Sequence, residues 1–106
     1  MQKIKFSLKN DELSIINQII ENRINQQSIP TPETKLVESI LFELAEKLLK
    51  KFVTERMNVK AFKITLKYHQ AYALHFILRD FQNVESDSPY INMVVSKVAN
   101  QIHEQL

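Results

Sequence analysis

The side chains best suited to metal or proton chemistry are His69, His75 and His103, and their spacing gives them little to share. His69 and His75 are six residues apart, which on a helix separates them by about 120° and misses the i,i+4 geometry of a common metal ion. His75 and Arg79 share a helix face with Tyr68 and Tyr72, framing either a small pocket or a partly buried aromatic surface. His103, near the end of a helix, suits interaction with the helix dipole when charged. Asp80, Glu85 and Asp87 form an acidic group without the spacing of a calcium loop. No nucleophile stands with an identifiable base. The 106 residues include no glycine and no cysteine, which excludes phosphate-cradling glycine loops, the G-x-S-x-G elbow, cysteine-ligated zinc, disulfides and thiol catalysis. The expectation is a non-enzyme with no cofactor and no metal.

The lysines are a stronger signal. Residues 47–67 hold seven bases (Lys47, Lys50, Lys51, Arg56, Lys60, Lys63, Lys67) and one acid, Glu55, for a local net charge of +6, while the whole chain carries only +2. Lys3, Lys5 and Lys9 add three more bases with no acid among them. Two readings follow. The asymmetry is the footprint of a polyanion-binding face, or it serves solubility and keeps sheet edges from pairing.

These side chains need elements to carry them. Lys3 to Lys9 alternates, with Ile4, Phe6 and Leu8 on one side and Lys3, Lys5, Ser7 and Lys9 on the other, which predicts a half-buried strand. Asn10 or Asp11 then caps a helix striped by Leu13, Ile16, Ile20 and Ile24. The Ile29-Pro30-Thr31-Pro32 segment breaks it. Thr31 as N-cap and Pro32 at the first position start a second helix with an apolar stripe of Leu36, Val37, Ile40, Leu41, Leu44, Leu48 and Phe52. Glu43/Lys47 and Glu46/Lys50 are i,i+4 pairs on its wet side.

After a connector over 55–61, Phe62, Ile64 and Leu66 alternate with Lys63, Thr65 and Lys67 as a second strand. A third helix runs through Ala71, Leu74, Leu78 and Phe81, with Tyr68, Tyr72 and Phe76 as a second apolar side that makes it the most buried of the set. Ser88 and Pro89 repeat the cap-plus-proline start before a fourth helix striped by Ile91, Val94, Val95, Val98, Ile102 and Leu106.

The order strand, helix, helix occurs twice, over residues 3–54 and 61–106. A shift of 58 lays Lys5, Leu8, Lys9 and Ile19 over Lys63, Leu66, Lys67 and Ile77, and a shift of 57 lays Pro32 over Pro89. The halves read either as an internal repeat or as two unrelated stretches of the same element type. The composition, 44% hydrophobic and 25% charged, is that of one globular domain over 1–106. The fold expected is mainly α with two short strands, a duplicated β-α-α unit whose four helices pack on a two-stranded antiparallel ribbon. The longest apolar run, Ala71 to Leu74, is far below the ~20 residues of a membrane span, and the charged start has no signal-peptide pattern. A cytoplasmic protein with no membrane partner is expected.

The strand Lys3-Ile4-Lys5-Phe6-Ser7-Leu8 followed by Asn10-Asp11-Glu12-Leu13, together with Lys63-Ile64-Thr65-Leu66, resembles the ribbon-helix-helix family of DNA-binding proteins. The resemblance implies strand side chains entering the major groove of duplex DNA, with Lys5, Ser7, Lys63 and Thr65 as base readers and Lys3, Lys9 and Lys67 beside them. It also implies phosphate contacts at the second-helix starts near Thr31 and Ser88. The alternative is a helical module that docks another protein or a second copy, as a dimer, through Tyr68, Tyr72 and Phe76.

Overall fold

The computed structural model describes residues 3–25, 32–82 and 88–106. Its elements run β1 (Lys3–Leu8), α1 (Asn10–Asn25), α2 (Pro32–Thr54), β2 (Phe62–Lys67), α3 (Tyr68–Gln82) and α4 (Pro89–His103). β1 and β2 pair antiparallel as a two-stranded sheet, with Lys3 opposite Lys67, Lys5 opposite Thr65 and Ser7 opposite Lys63. Strand periodicity sends Ile4, Phe6, Leu8, Ile64 and Leu66 inward, where all are buried. They meet Leu13, Ile16 and Ile20 of α1, Leu41, Leu44 and Leu48 of α2, Leu74 and Leu78 of α3, and Val94, Val98 and Ile102 of α4 in one core cluster. The mainly helical architecture with a two-stranded antiparallel ribbon is therefore as the periodicity predicts. No described helix is long and apolar enough to cross a membrane.

Both strands pass into helices with almost no loop, and the same device serves each junction. At β1–α1 the Lys9 N–H donates to Glu12 Oε1 at 2.8 Å and the Lys9 carbonyl accepts from Leu13 N–H. At β2–α3 the Lys67 N–H donates to Gln70 Oε1 at 3.1 Å. Each lysine is thus an N-cap by its backbone alone. The residue three places on reaches back as half of a capping box, and the lysine side chain is left outside. This corrects the expected cap at Asn10 or Asp11, since Asn10 already belongs to α1.

Glu12 and Gln70 are both buried, and each is completed by a side chain from another helix. Lys97 Nζ of α4 donates to both Glu12 oxygens, at 3.1 and 3.2 Å. Gln70 Nε2 donates to Glu43 Oε1 of α2 at 2.6 Å. Glu43 is therefore engaged across helices rather than in the expected pair with Lys47, whereas Glu46 and Lys50 do pair, at 3.1 Å.

α4 starts as expected, with Ser88 Oγ accepting from the Ile91 N–H at 3.3 Å and Pro89 in the first turn. Thr31, the expected cap of α2, lies outside the described residues. α3 departs from the reading in one respect. Its inner stripe is buried, but Tyr72 and Phe76 are more than half exposed and Tyr68 is also exposed. α3 is amphipathic like its neighbours, because the ribbon and three helices already fill its inner side. The absence of glycine matches the backbone: no described residue takes a positive φ, so none needs glycine's freedom.

Candidate functional site

The outward face of the ribbon is built by the same alternation that builds the core. Every second residue turns away from the helices, which puts Lys3, Lys5 and Ser7 of β1 beside Lys67, Thr65 and Lys63 of β2 on one surface. The four lysines are exposed and Ser7 and Thr65 are half-buried between them. No acid occupies any of the six positions. Lys9, exposed at the end of β1, extends the row.

The pairing geometry brings like charges close. The Lys5 N–H donates to Gln105 Oε1 at 2.9 Å, and the Lys5 carbonyl accepts from Gln105 Nε2. The Ser7 N–H donates to Gln101 Oε1 and its carbonyl accepts from Gln101 Nε2, both at 3.0 Å. Backbone groups that reach α4 point away from β2. Lys5–Thr65, Ser7–Lys63 and, by the period of two, Lys3–Lys67 are therefore the non-hydrogen-bonded pairs, those with the closer side chains. Like charges directly opposite each other destabilise a ribbon, and Lys3 faces Lys67 in that arrangement.

Charge pairing is partial outside the ribbon, where Lys47, Arg56, Lys60 and Arg79 also have no carboxylate partner among the described residues, and it is absent on the ribbon face. Arg23 pairs with Asp80 at 2.6 Å, Lys51 with Glu55 at 3.4 Å and Lys97 with Glu12 at 3.1 Å. Among the described residues, Lys3, Lys5, Lys9, Lys63 and Lys67 have no carboxylate partner. The basic surface also continues past β2. An open groove of about 440 Å³ runs between β2 and the second half of α2, lined by Lys47, Lys50, Lys51 and Lys63, with Leu48 and Ile64 beneath. Lys51 lies over the Phe62 ring, 5.5 Å from its centroid. These α2 lysines were missing from the expected site although the excess of bases over 47–67 marked them. Their helical phase, which decides whether they face the ribbon, is not fixed until α2 is docked.

Ser88 is not gathered with the ribbon lysines. Its hydroxyl serves as the α4 cap, and Gln101, which meets Ser7, is about 20 Å further along the helix. Beside it, Tyr90 donates to Asp11 Oδ2 at 2.8 Å. That bond holds the Asp11 carboxyl below its ordinary value and raises the Tyr90 phenol.

Tyr68, Tyr72 and Phe76 do come together. With Ile40, His69 and Ala73 they line an apolar groove of about 540 Å³ between α2 and α3. His75 and Arg79 are not part of it. The Arg79 Nε–H donates to His75 Nε2 at 3.3 Å, and Arg79 also reaches Gln82 and Asn100. His75 stacks on His103 with ring centroids 5.3 Å apart. Burial, then the charge of Arg79 and His103, lowers the His75 pKa, and the bond from Arg79 requires an unprotonated Nε2. His69 stands 4.0 Å from Glu43. Among the described residues no three His, Asp or Glu side chains converge as a metal site. Comparison with protein-family models, with curated proteins and with solved structures returns no match for this chain.

Proposed function

We propose that this protein is a non-catalytic nucleic-acid-binding domain that lays the outer face of its ribbon against a duplex. The observation that carries this reading is the gathering of lysines on one surface: Lys3, Lys5, Lys9, Lys63 and Lys67 share the outer face of the ribbon with no acid among them and no carboxylate partner among the described residues, and two of them oppose each other. A polyanion would relieve that repulsion and release its own counterions on binding. The ribbon-helix-helix resemblance supplies the mode, with Lys5, Ser7, Lys63 and Thr65 reading base edges in the major groove while Lys3, Lys9 and Lys67 meet the flanking phosphates. Duplication of the β-α-α unit would then let one chain present a two-stranded reader that single-unit chains need two copies to form.

The test is duplex binding by fluorescence anisotropy across a salt series. Contacts from four to six lysines give a log–log salt slope of about −4 to −5. Replacing Lys5 and Lys63 with alanine should weaken binding at least about tenfold at low salt with little change in that slope, whereas replacing Lys3 and Lys67 should flatten it by about two. All four side chains are exposed, so thermal stability should stay the same. No binding at low salt would refute the reading.

The exposed aromatic groove on α2 and α3 favours a second one, docking of a protein partner or another copy. In that case Tyr72→Ala and Phe76→Ala abolish an association that salt barely affects.

A further inference from the structure

We propose that the outer edge of β2 accepts an extended acidic peptide as a third strand of the ribbon. This inference does not depend on nucleic-acid binding, because it uses the edge of the sheet and not its outer face.

The two edges of the ribbon are finished differently. Along β1, Gln101 and Gln105 act as a substitute strand, each offering a carbonyl oxygen and an N–H₂ to one backbone residue. The match is metric. Residues i and i+4 on a helix are about 6 Å apart along its axis, and alternate residues on an antiparallel strand about 6.8 Å, so two glutamines one turn apart serve Lys5 and Ser7.

Since Lys5 and Ser7 are non-hydrogen-bonded partners of Thr65 and Lys63, the N–H and C=O groups of Thr65 and Lys63 point away from β1. Among the described residues no hydrogen bond reaches those four groups. The next outward N–H of β2, that of Lys67, is taken by Gln70. What is left is a stretch of strand edge two pairing residues long, opening into the groove beside α2.

The groove walls specify the occupant. Lys63 on one side and Lys47, Lys50 and Lys51 on the other make the approach basic, and Leu48 and Ile64 make the floor apolar. A second copy pairing through the same edge would bring both sets of lysines together, which like-charge repulsion opposes. An added strand alternates its side chains, so a peptide with glutamate at every second position and small apolar residues between them matches the lysines above and the leucine and isoleucine below. Strand addition of this kind takes its affinity from main-chain hydrogen bonds and its preference from alternate side chains.

The experiment uses the full chain and a labelled seven-residue peptide alternating glutamate and valine. Anisotropy measures binding, and hydrogen exchange followed by NMR measures protection of individual amides. Binding should slow exchange at Lys63 and Thr65 at least tenfold while leaving Lys5 and Ser7 unchanged. Lys47→Glu and Lys50→Glu, both exposed on α2, should each weaken binding several-fold. Two N-methylated versions of the peptide, blocking one or the other set of alternate amides, should differ: one is inert and the other binds. Equal binding by both, or no protection at Lys63 and Thr65, would overturn the proposal. Protection of those two amides by duplex DNA or by self-association, with none from the peptide, would also overturn it.

Discussion

The two strand–helix–helix segments meet the same demands with different side chains. At the first junction the buried group behind the strand is a carboxylate, Glu12, answered by Lys97. At the second it is an amide, Gln70, answered by Glu43. One location thus carries an ion pair and the other a neutral donor facing a carboxylate, although both cap a helix through a lysine backbone. The outer edges differ more. β1 is sealed by two glutamines, while among the described residues nothing bonds the outward backbone groups of Lys63 and Thr65 on β2, beside a basic groove. Local capping is therefore common to the two segments, and exposure of reactive backbone is confined to one.

Exchanging the buried groups should expose that difference first. Gln70→Glu places a buried carboxylate against Glu43, and loss of the donor together with repulsion should lower stability by about 2–4 kcal/mol at neutral pH. The introduced carboxyl has its folded-state pKa raised, so the deficit appears as pH rises above the unfolded value of about 4.3 and fades below it. Glu12→Gln is the milder exchange. It retains the oxygen that caps Lys9 and removes the charge from a half-exposed lysine partner, a change within about 1 kcal/mol. Urea denaturation of both variants at pH 7 and pH 4.5 checks the order. Equal losses would mean that the two junctions do not differ in charge.

Opening the sealed edge comes next. Gln101→Ala with Gln105→Ala removes four hydrogen bonds from β1, which water can partly replace, so the loss should be about 1–3 kcal/mol. Amide exchange at Lys5 and Ser7 should accelerate, and light scattering should detect self-association through the newly exposed edge. A variant with unchanged exchange at those two amides would show that the glutamines do not protect the strand.

Much of the fold was legible because alternation and helical periodicity in this chain are strong. Ile4, Phe6 and Leu8 against Lys3, Lys5 and Ser7 determine which strand face is buried, and Val94, Val95, Val98 and Ile102 do the same for α4. The lysine face of the ribbon follows directly, since a period of two that buries one set exposes the other. The caps were less legible. Glu12 and Gln70 occupy matching places when the halves are shifted by 58, but a lysine N-cap has no side-chain signature. Gln101 and Gln105 could not be read as edge partners because their role depends on how α4 lies against β1, a long-range contact that no local pattern encodes. For the same reason Tyr68, Tyr72 and Phe76 looked like core: periodicity identifies an apolar side of α3 but not whether the molecule has anything left to cover it.

The smallest effect concerns pH near neutrality and arises in the second segment. In the first, Asn17 ties α1 to α2 by donating to the Leu48 carbonyl at 3.4 Å, and amide chemistry does not titrate. Fifty-eight residues on, His75 lies between α3 and α4, accepting from Arg79 and stacking on His103. Its folded-state pKa lies below the ordinary value of 6.5 because burial and the neighbouring cations disfavour the imidazolium. The unfolded chain therefore binds more protons near that pH, and stability must rise with pH there. The contribution is fully present above 6.5 and is lost as pH falls through the folded-state value. Protonation also removes the lone pair that receives the Arg79 bond, and Arg79 holds Asn100 on α4, next to the glutamine that seals β1. Urea midpoints between pH 7.5 and 5.5 should fall for the native chain and stay flatter for His75→Phe, which keeps a ring against His103 but cannot titrate. Asn17→Ala should lower stability without altering the slope, and parallel pH profiles for the native chain and His75→Phe would assign the titration elsewhere.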